Sequence, residues 1–443
     1  MSMPALNHYL DKFQHLSSQL AGDGLESVRS TGLDLFRKKG FPGLREENWK
    51  YTDVRPIANE NFILPHDISD RIDQDIVNSI RIAGMNCHEL VFINGRFIAE
   101  HSSCENLPDG VIVQDLAEAA VHHRALIGKH LAHYADAAGN PFTALNAAFL
   151  QHGCLIFIPA ETVLEKPLHL LYLSGGHAEP FVTHPRNLII LSANARAAVI
   201  ESYTGLDEGS YFTNTVTEAC LQKGASLQHY KIQQEGRGCY HVGNLDIRLG
   251  RGSQAESHSI ALGGTLVRND IRARLEAEDA GIKLNGLYLG DARQHIDNHT
   301  RVDHLQPRTR SHENYRGVLN GQARGVFNGK VIVHKGAQKT DAAQNNANLL
   351  LSDTAEVDTK PELEIYADDV KCAHGATVGQ LDQDMLFYLR SRSIDENTAR
   401  SLLTYAFADE ILREIGIAPL RQRLEQLVIG RLPDPDLIRE FAA

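Results

Sequence analysis

The chain contains few cysteines for its length. Its 443 residues include six, and no two of them are spaced as C-x-x-C. Disulfide scaffolds need a higher density of cysteine, and structural zinc or cluster sites usually take closely spaced pairs. We therefore expect no disulfide framework, no complete metal site and no cofactor in the isolated chain. The six are Cys87, Cys104, Cys154, Cys220, Cys239 and Cys372.

Basic charge and long apolar runs are also missing. The chain has 44 basic and 56 acidic residues, which gives a net charge of -12 at pH 7. Binding to nucleic acid or to an anionic membrane needs clustered lysine and arginine, and the sequence has no such run. No apolar stretch is long enough to span a bilayer, and the N-terminus does not resemble a signal peptide. We therefore expect a cytoplasmic protein without a nucleic acid or membrane partner.

Common motifs for nucleotide binding and nucleophilic catalysis are absent as well. Residues 325–331, GVFNGKV, resemble a phosphate-binding loop, but three residues rather than four separate their glycines. Val331 also stands where that loop needs a metal-binding hydroxyl. The sequence contains no G-x-G-x-x-G and no G-x-S-x-G. We predict that the chain is not an enzyme and that any ATP chemistry belongs to a partner.

Residues 1–150 are predicted to form an N-terminal mixed, mostly helical domain. A helix from Ser27 to Gly40 is favoured because two lysines occupy its last turn and glycine commonly ends a helix. Apolar residues on both sides of Asn94-Gly95 predict a short hairpin, since this dipeptide suits a two-residue turn. Residues 108–150 are predicted to return to helix.

Residues 151–378 show short strand-like segments separated by corners rich in glycine. Segments that begin at Asn194, Lys223, Arg251 and Asp279 align at intervals of 29, 28 and 28 residues. Later corners follow at more variable intervals. A coiled parallel sheet explains many short strands with a regular period, whereas an antiparallel sandwich is the ordinary alternative. The pattern alone leaves both possibilities open.

Residues 379–443 are predicted to form a C-terminal helical domain. Asp382 and Asp395 suit helix N-caps, and Pro419 suits the start of a third helix. The second helix carries an apolar stripe that should end near Gly416. Such a stripe usually belongs to a core, although part of it can serve as an interface. Its members are Ala399, Leu402, Leu403, Ala406 and either Leu412 or Ile415.

A thiol and an imidazole lie two residues apart in the segment KCAHGATVGQL, residues 371–381. On an extended strand, Cys372 and His374 would point to the same face, because side chains alternate with period two. Such a pair could hold a soft or borderline metal together. For an isolated C-x-H, a buried thiol beside a hydrogen-bonded imidazole would be the more ordinary interpretation.

The surrounding sequence favours a more specific interpretation, because it resembles the SufB/SufD family of iron–sulfur cluster assembly proteins. The resemblance covers most of the chain and is weakest in residues 60–150. It is closer to the SufD branch, since the SufB strand resembles His-Glu-Ala-Thr where this chain has Gly375 after His374. The matching stretches are residues 46–52, 294–300, 315–319, 325–330, 337–342, 348–352, 358–365 and 368–381.

The resemblance implies a right-handed parallel β-helix core between the two helical regions. It also implies a non-catalytic scaffold that pairs with SufB through the last strands of both cores and binds the SufC ATPase through its C-terminal helices. Leu402, Leu403 and Phe407 are the predicted SufC contacts. A transient iron or iron–sulfur cluster would lie at the SufB interface, with His374 and possibly Cys372 as ligands. The family role includes iron acquisition, and the isolated chain could form a homodimer.

Three alternatives remain at this stage. The chain could be a SufB-like cluster scaffold, or a β-helix enzyme acting on carbohydrate with paired carboxylates in a groove. It could also be a free-standing metalloenzyme built on His295, His299 and His304, the densest imidazole cluster in the sequence. Strand alternation places His295 and His299 on one face and His304 on the other. We therefore expect hydrogen-bonding roles for these histidines.

Overall fold

The protein is mainly β, and the fold prediction is confirmed. The computed structural model describes residues 22–65 and 72–433, together with residues 9, 12, 13, 16 and 20. Its core is a parallel β-solenoid of about eight turns, with helices towards both ends of the chain. Within these described ranges, no helix is both long and apolar enough to cross a membrane.

Twenty strands in the described residues form two long sheets. In chain order they are β1 (His88–Ile93), β2 (Arg96–Ser103), β3 (Ile112–Asp115), β4 (Gly153–Ile158), β5 (Leu168–Ser174), β6 (Phe181–Thr183), β7 (Arg186–Leu191), β8 (Arg196–Gly205), β9 (Tyr211–Leu221), β10 (Ser226–Gln234), β11 (Tyr240–Leu249), β12 (Gln254–Ala261), β13 (Leu266–Leu275), β14 (Gly281–Gly290), β15 (His295–His304), β16 (Arg310–Leu319), β17 (Arg324–Val333), β18 (Asp341–Leu350), β19 (Glu356–Ile365) and β20 (Lys371–Gly379).

Each coil of the chain adds one strand to each sheet. The first sheet has the order β2-β1-β5-β8-β10-β12-β14-β16-β18-β20, and the second has the order β19-β17-β15-β13-β11-β9-β7-β4-β3. All pairings along the solenoid are parallel. At its beginning, β2 pairs antiparallel with β1, and β3 pairs antiparallel with β4. Strands that follow one another in the chain lie in opposite sheets, and neighbours within each sheet run parallel. An antiparallel sandwich is therefore excluded.

One corner of the solenoid explains the sequence repeat. Residues in the left-handed conformation stack there from coil to coil, and each donates its backbone N–H to a carbonyl of the next coil, at 2.9 Å for Asn194 and Gly224. The predicted alignment was one residue early at Lys223 and Arg251, because the equivalent positions are the following glycines. Glycine and asparagine suit positive φ, but arginine and lysine give no such signal in the later coils. The stacked residues are Asn194, Gly224, Gly252, Asp279, Arg308 and Lys339.

Nine helices with defined bounds occur in the described residues. They are α1 (Glu26–Lys39), α2 (Arg55–Asn59), α3 (Gln74–Ile80), α4 (Leu116–His122), α5 (Arg124–His130), α6 (Pro141–Ala148), α7 (Gln383–Ser391), α8 (Glu396–Leu412) and α9 (Ala418–Ile429). A short 3-10 turn spans Glu47–Trp49.

The N-terminal elements follow the predictions with one exception. The hairpin β1–β2 turns at Asn94 and Gly95, both with positive φ, and α1 ends one residue before Gly40. The prediction of helix throughout residues 108–150 was wrong for β3, which pairs antiparallel with β4. This four-residue strand is too short for its sequence to reveal, and its partner β4 begins 38 residues later in the chain.

The C-terminal helices pack on the outer face of the first sheet. Asp382 and Asp395 cap α7 and α8 as predicted, and a proline lies in the first turn of α9. The predicted extent of α8 was too long, since it ends at Leu412. Its buried face also differs from the predicted stripe, because Ala406 is exposed while small and hydroxyl residues face the core. These buried residues include Thr398, Ala399, Ser401, Thr404 and Ala408.

Candidate functional site at the open end of the β-helix

Both sheets end in a free edge at the same end of the solenoid. Strand β20 pairs with β18 on one side, β19 pairs with β17, and within residues 72–433 no other strand covers their outer edges. Every residue of β20 except Cys372 is exposed. An edge strand presents a row of backbone donors and acceptors that can pair with another chain. The open end therefore has the geometry of a docking surface.

Cys372 and His374 lie on the inward face of β20. Cys372 is in register with Ala342, and His374 is in register with Gln344, which are both buried in the coil below. Cys372 is half-buried against the core, and this burial raises the pKa of its thiol. His374 is exposed, because no further coil among the described residues covers it. The structure thus brings the two predicted ligands together on one face.

The interior below His374 is polar. Glu313, Gln344 and His374 occupy matching positions in three successive strands of the first sheet, and adjacent strands are about 4.8 Å apart. The hydroxyl of Thr300 donates to Glu313 at 2.5 Å, and burial raises the pKa of Glu313 to about 7. This column ends at the open edge. A polar interior at this end suits a charged or hydrated occupant better than an apolar core would.

Further polar side chains line the same end. Asn346 accepts hydrogen bonds from Thr359 at 2.9 Å and from Asn348 at 2.7 Å. Asn348 also donates to the backbone carbonyl of Thr377 in β20, at 3.4 Å. Among the described residues, however, no third cysteine, histidine, aspartate or glutamate joins Cys372 and His374 in a metal-binding group. The open end therefore offers two potential ligands, fewer than the three or four that metal sites usually take.

The histidine cluster on β15 serves the packing of the N-terminal region. His295 lies 2.8 Å from the hydroxyl of Thr52, and that hydroxyl donates to Asp297 at 2.5 Å. Burial alone would raise the pKa of Asp297, but Arg268 and His299 outweigh it and hold this pKa well below its usual range. These contacts tie the side chains to one another and to the N-terminal region. They favour the predicted structural role over a metal centre.

His304 points to the opposite face of β15. Its two ring nitrogens lie 2.8 Å from the Thr309 hydroxyl and 2.9 Å from the Ser311 hydroxyl. Burial lowers the pKa of this imidazole to about 4. A neutral, buried histidine with both nitrogens hydrogen-bonded is a structural element of the interior rather than a partner of His295 and His299.

The predicted SufC contacts on α8 are partly engaged in packing. Leu403 joins an apolar cluster with α7, and Phe407 packs against both that cluster and the β-helix. The guanidinium of Arg316 lies 4.6 Å from the centre of the Phe407 ring and donates to its backbone carbonyl. Leu402 is half-buried and belongs to none of these clusters. The structure therefore gives Leu403 and Phe407 a role in holding α8.

A more exposed apolar surface lies on α7, and the sequence analysis missed it. Met385, Phe387 and Tyr388 are 52%, 75% and 53% exposed, respectively. We call these three residues the α7 surface. Single exposed apolar residues are common, but three of this size on one short helix expose a larger apolar area, and such areas often mark an interaction site. Leu386 between them is buried, and a continuous apolar run in the sequence does not show which of its members face solvent.

Two family models match the chain. The one described as "SUF system FeS cluster assembly, SufBD core domain" matches residues 173–407, and the one described as "SufBD protein N-terminal region" matches residues 3–170. The chain belongs to the SufB/SufD family of iron–sulfur cluster assembly proteins. The core match includes both the open end and the predicted contacts on α8, and it stops before α9.

Individual members of the SufB/SufD family are similar over nearly the whole chain. An iron–sulfur cluster assembly SufBD family protein of Synechocystis sp. is 33% identical over 95% of this chain and 96% of its own length. The iron–sulfur cluster assembly protein SufD of Escherichia coli is 30% identical over 97% and 98%. SufD of Bacillus subtilis is 25% identical over 86% and 87%. These likenesses confirm the predicted resemblance.

The segment that resembles a phosphate-binding loop, residues 325–331, does not form a loop in this SufB/SufD family member. Residues 325–331 lie within β17, where an extended backbone cannot wrap around a phosphate. The Lys330 ammonium lies 2.5 Å from the Glu364 carboxylate on β19. The segment is thus part of the sheet.

Proposed function

We propose that this chain is a non-catalytic scaffold subunit for iron–sulfur cluster assembly, with a role in iron acquisition. It pairs with SufB through the open end of its β-helix and binds the SufC ATPase through its C-terminal helices. The observation that carries the proposal is the open end itself, which combines two free sheet edges with the incomplete ligand pair Cys372 and His374. Family membership supports cluster assembly as the process.

Pairing through the open end follows from the properties of β-sheet edges. A partner strand can satisfy the backbone groups of β19 and β20 by extending the sheets. Apolar side chains near these edges would gain burial, since Tyr366 is 61% exposed, Val378 49% and Ile365 42%. SufB has the same architecture by family resemblance, so its own last coil can match these edges. A homodimer of this chain through the same edges is the state expected when SufB is absent.

The metal proposal rests on the chemistry of the two ligands. Thiolate sulfur and imidazole nitrogen are suitable ligands for iron and for iron–sulfur clusters. Two ligands from this chain leave positions for SufB to fill, so a site would be complete only when the two subunits pair. Iron or the cluster is then cargo held at the interface. Movement of the two subunits, driven by ATP hydrolysis on SufC, could open and close such a shared site.

The SufC contact is proposed to include the α7 surface as well as the predicted residues on α8. Docking against Met385, Phe387 and Tyr388 would remove exposed apolar area from water without disturbing the core. Leu402 lies on the neighbouring helix and can extend this contact, whereas truncating Leu403 would also disturb the cluster that holds α7 to α8.

Substitutions on β20 test the scaffold role. His374→Ala should lower iron and sulfide in a complex purified with SufB and SufC from the native host. Loss of a residue that only orients a ligand already costs about 10-fold or more in metal affinity, and loss of the ligand itself should cost at least as much. His374→Gln keeps hydrogen bonding but is a poor iron ligand, so it should show the same loss. Cys372→Ala should match these losses if the thiol is a ligand and cost less if it only packs.

His312 offers a matched control, because it is an exposed histidine on β16, two strands away in the same sheet. His312→Ala should leave the composition and the iron content of the complex unchanged. Full cluster content in His374→Gln, with the complex intact, would refute the ligand role. Recovery of this chain without SufB would refute the pairing, and a complex of two copies of this chain with SufC would favour the SufB-like alternative.

A further inference from the structure

Three potential metal ligands meet near the beginning of the first sheet. Cys87 lies just before β1, Glu89 is in β1, and His169 is in β5. Cys87 and Glu89 are two residues apart, while Glu89 and His169 are directly in register on adjacent parallel strands. Their thiol, carboxylate and imidazole ligand atoms all lie within 4.8 Å of one another. Among the described residues, this is the one group of three or more such side chains at this spacing.

This group is far from the open end. Strands β1 and β5 lie at the opposite end of the first sheet from β20. Its surroundings are the outer face of the sheet beneath α3, where Val91, Leu171 and Val77 form an apolar cluster. Glu89 and His169 are buried, whereas Cys87 is half-buried beside an exposed stretch at residues 83–84. The group is thus sheltered on one side and reachable from solvent on the other.

Neighbouring side chains orient the carboxylate and the imidazole. Arg81 Nε donates to Glu89 Oε1 at 2.6 Å, so Oε2 is left facing His169 Nδ1 at 2.9 Å. On the far side of the ring, His169 Nε2 lies 2.8 Å from the hydroxyl of Ser202. When Nε2–H donates to this hydroxyl, Nδ1 presents a lone pair towards Glu89. Two lone pairs at that distance need a cation between them, either a proton or a metal ion.

We propose that Cys87, Glu89 and His169 bind one divalent metal ion of borderline softness, such as Zn²⁺, with a fourth position open to solvent. Nitrogen, oxygen and sulfur ligands together suit such an ion, and three protein ligands with one open position is a common arrangement. The contacts of Arg81 and Ser202 resemble those that orient the ligands of known metal sites. No part of this proposal depends on the pairing with SufB.

The required adjustment is small. Zinc bonds of about 2.0 to 2.3 Å place tetrahedral ligand atoms roughly 3.3 to 3.6 Å apart. The carboxylate and imidazole must separate by a few tenths of an ångström. The Cys87 sulfur lies within 4.8 Å of both and must approach by no more than about 1.3 Å. Burial raises the pKa of the Cys87 thiol to about 12, so the ion must displace the thiol proton on binding. The exposed turn that precedes Cys87 leaves its backbone room to move.

Cobalt titration of the full-length chain tests this site. The protein would carry Cys372→Ser and His374→Gln, so that the open end contributes no ligands, and would be treated with EDTA before Co²⁺ is added. We expect one Co²⁺ per chain, a thiolate-to-cobalt charge-transfer band and displacement by Zn²⁺. Cys87→Ser on this background should abolish the band and weaken binding by about 10-fold or more.

Cys104 provides the matched control. It is also half-buried, and its thiol lies 3.7 Å from the backbone carbonyl of Glu89. Cys104→Ser should therefore keep both the charge-transfer band and the affinity. In the protein that keeps Cys87, Zn²⁺ should slow the alkylation of the Cys87 thiol. The alkylation rate of Cys104 in the same sample serves as the internal reference. This second measurement needs no substitution at a buried position.

Each outcome decides the proposal. Absence of stoichiometric Co²⁺ binding, or binding without a thiolate band, would overturn it and leave Arg81, Glu89 and His169 as a hydrogen-bonded network alone. Unchanged binding in Cys87→Ser, or an equal loss in Cys104→Ser, would overturn it as well. Zn²⁺ protection of Cys87 together with loss of the band in Cys87→Ser would establish the site.

Discussion

Truncating Phe387 on α7 should weaken the binding of SufC while leaving the stability of this chain unchanged. Its side chain is 75% exposed, so it contributes little to packing in the free chain. Surface substitutions of this kind usually change the free energy of unfolding by less than about 0.5 kcal/mol. In the complex, the same ring would be removed from water. The effect should therefore appear in binding alone.

The magnitude follows from the exposed area. A phenylalanine side chain presents on the order of 200 Å², and three quarters of that is roughly 150 Å². At about 25 cal/mol per Å², full burial is worth up to about 4 kcal/mol. Interface residues rarely keep the whole of this value, so Phe387→Ala should cost about 2 to 3 kcal/mol. That corresponds to a Kd raised by roughly 30-fold to 160-fold.

Phe407 on α8 is the informative comparison because it is the same residue type in a packed environment. It contacts two apolar clusters and the guanidinium of Arg316. Phe407→Ala should lower the free energy of unfolding by about 2 to 3 kcal/mol, less than the usual cost at a fully buried phenylalanine. Leu44 is exposed in the N-terminal region, and Leu44→Ala should change neither the Kd for SufC nor the free energy of unfolding.

Calorimetric titration of purified SufC into each variant measures Kd, and urea unfolding of each variant alone measures stability. An unchanged Kd in Phe387→Ala would refute the α7 contact. A weakened Kd in Phe407→Ala without loss of stability would instead place the contact on α8. If Phe387→Ala loses stability, the side chain is packed in solution and the reasoning from exposure fails.

Two further predictions concern the β-helix. Burial raises the pKa of Glu313 from 4.5 to about 7, so the folded chain holds this proton more tightly than the unfolded chain and loses stability as pH rises from about 4.5 to 7. Glu313→Gln, which cannot titrate, should be nearly neutral at pH 4.5 and more stable than the parent by about 3 kcal/mol at pH 8, as measured by urea unfolding; an equal difference at both pH values would contradict this. The purified chain should hydrolyse no ATP, because Lys330 lies in a strand and pairs with Glu364. ATP turnover that disappears in Lys330→Ala would show that this segment binds nucleotide.

Local signals in the sequence predicted several elements of the fold. Asn94-Gly95 predicted the hairpin, and Asp382 and Asp395 predicted the helix starts, because turn and capping preferences act over a few residues. The glycine-rich repeat indicated coils of nearly constant length. The β-helix itself was chosen over a sandwich through family resemblance, since short strands with period-two patterns are common to both folds.

Long-range contacts explain the errors. Strand β3 depends on its antiparallel partner β4, which its own four residues do not reveal. The buried face of α8 contains Ser401 and Thr404, because the helix packs closely against the sheet and small side chains fit there. Hydroxyl residues do not contribute to an apolar pattern. The apolar pattern therefore predicted Ala406 as part of the buried stripe of α8, but this residue is exposed.

That Cys372 and His374 share one face of a strand follows from local sequence alone, because alternation is a local property of extended backbone. The tertiary structure sets a further property: this face points into the solenoid at a last coil that no other described strand covers. It likewise decided that Glu89 meets His169, 80 residues later in the chain, because the crossover places β5 in register beside β1. Which strands become neighbours depends on the stacking of whole coils, and no single segment of sequence specifies that contact.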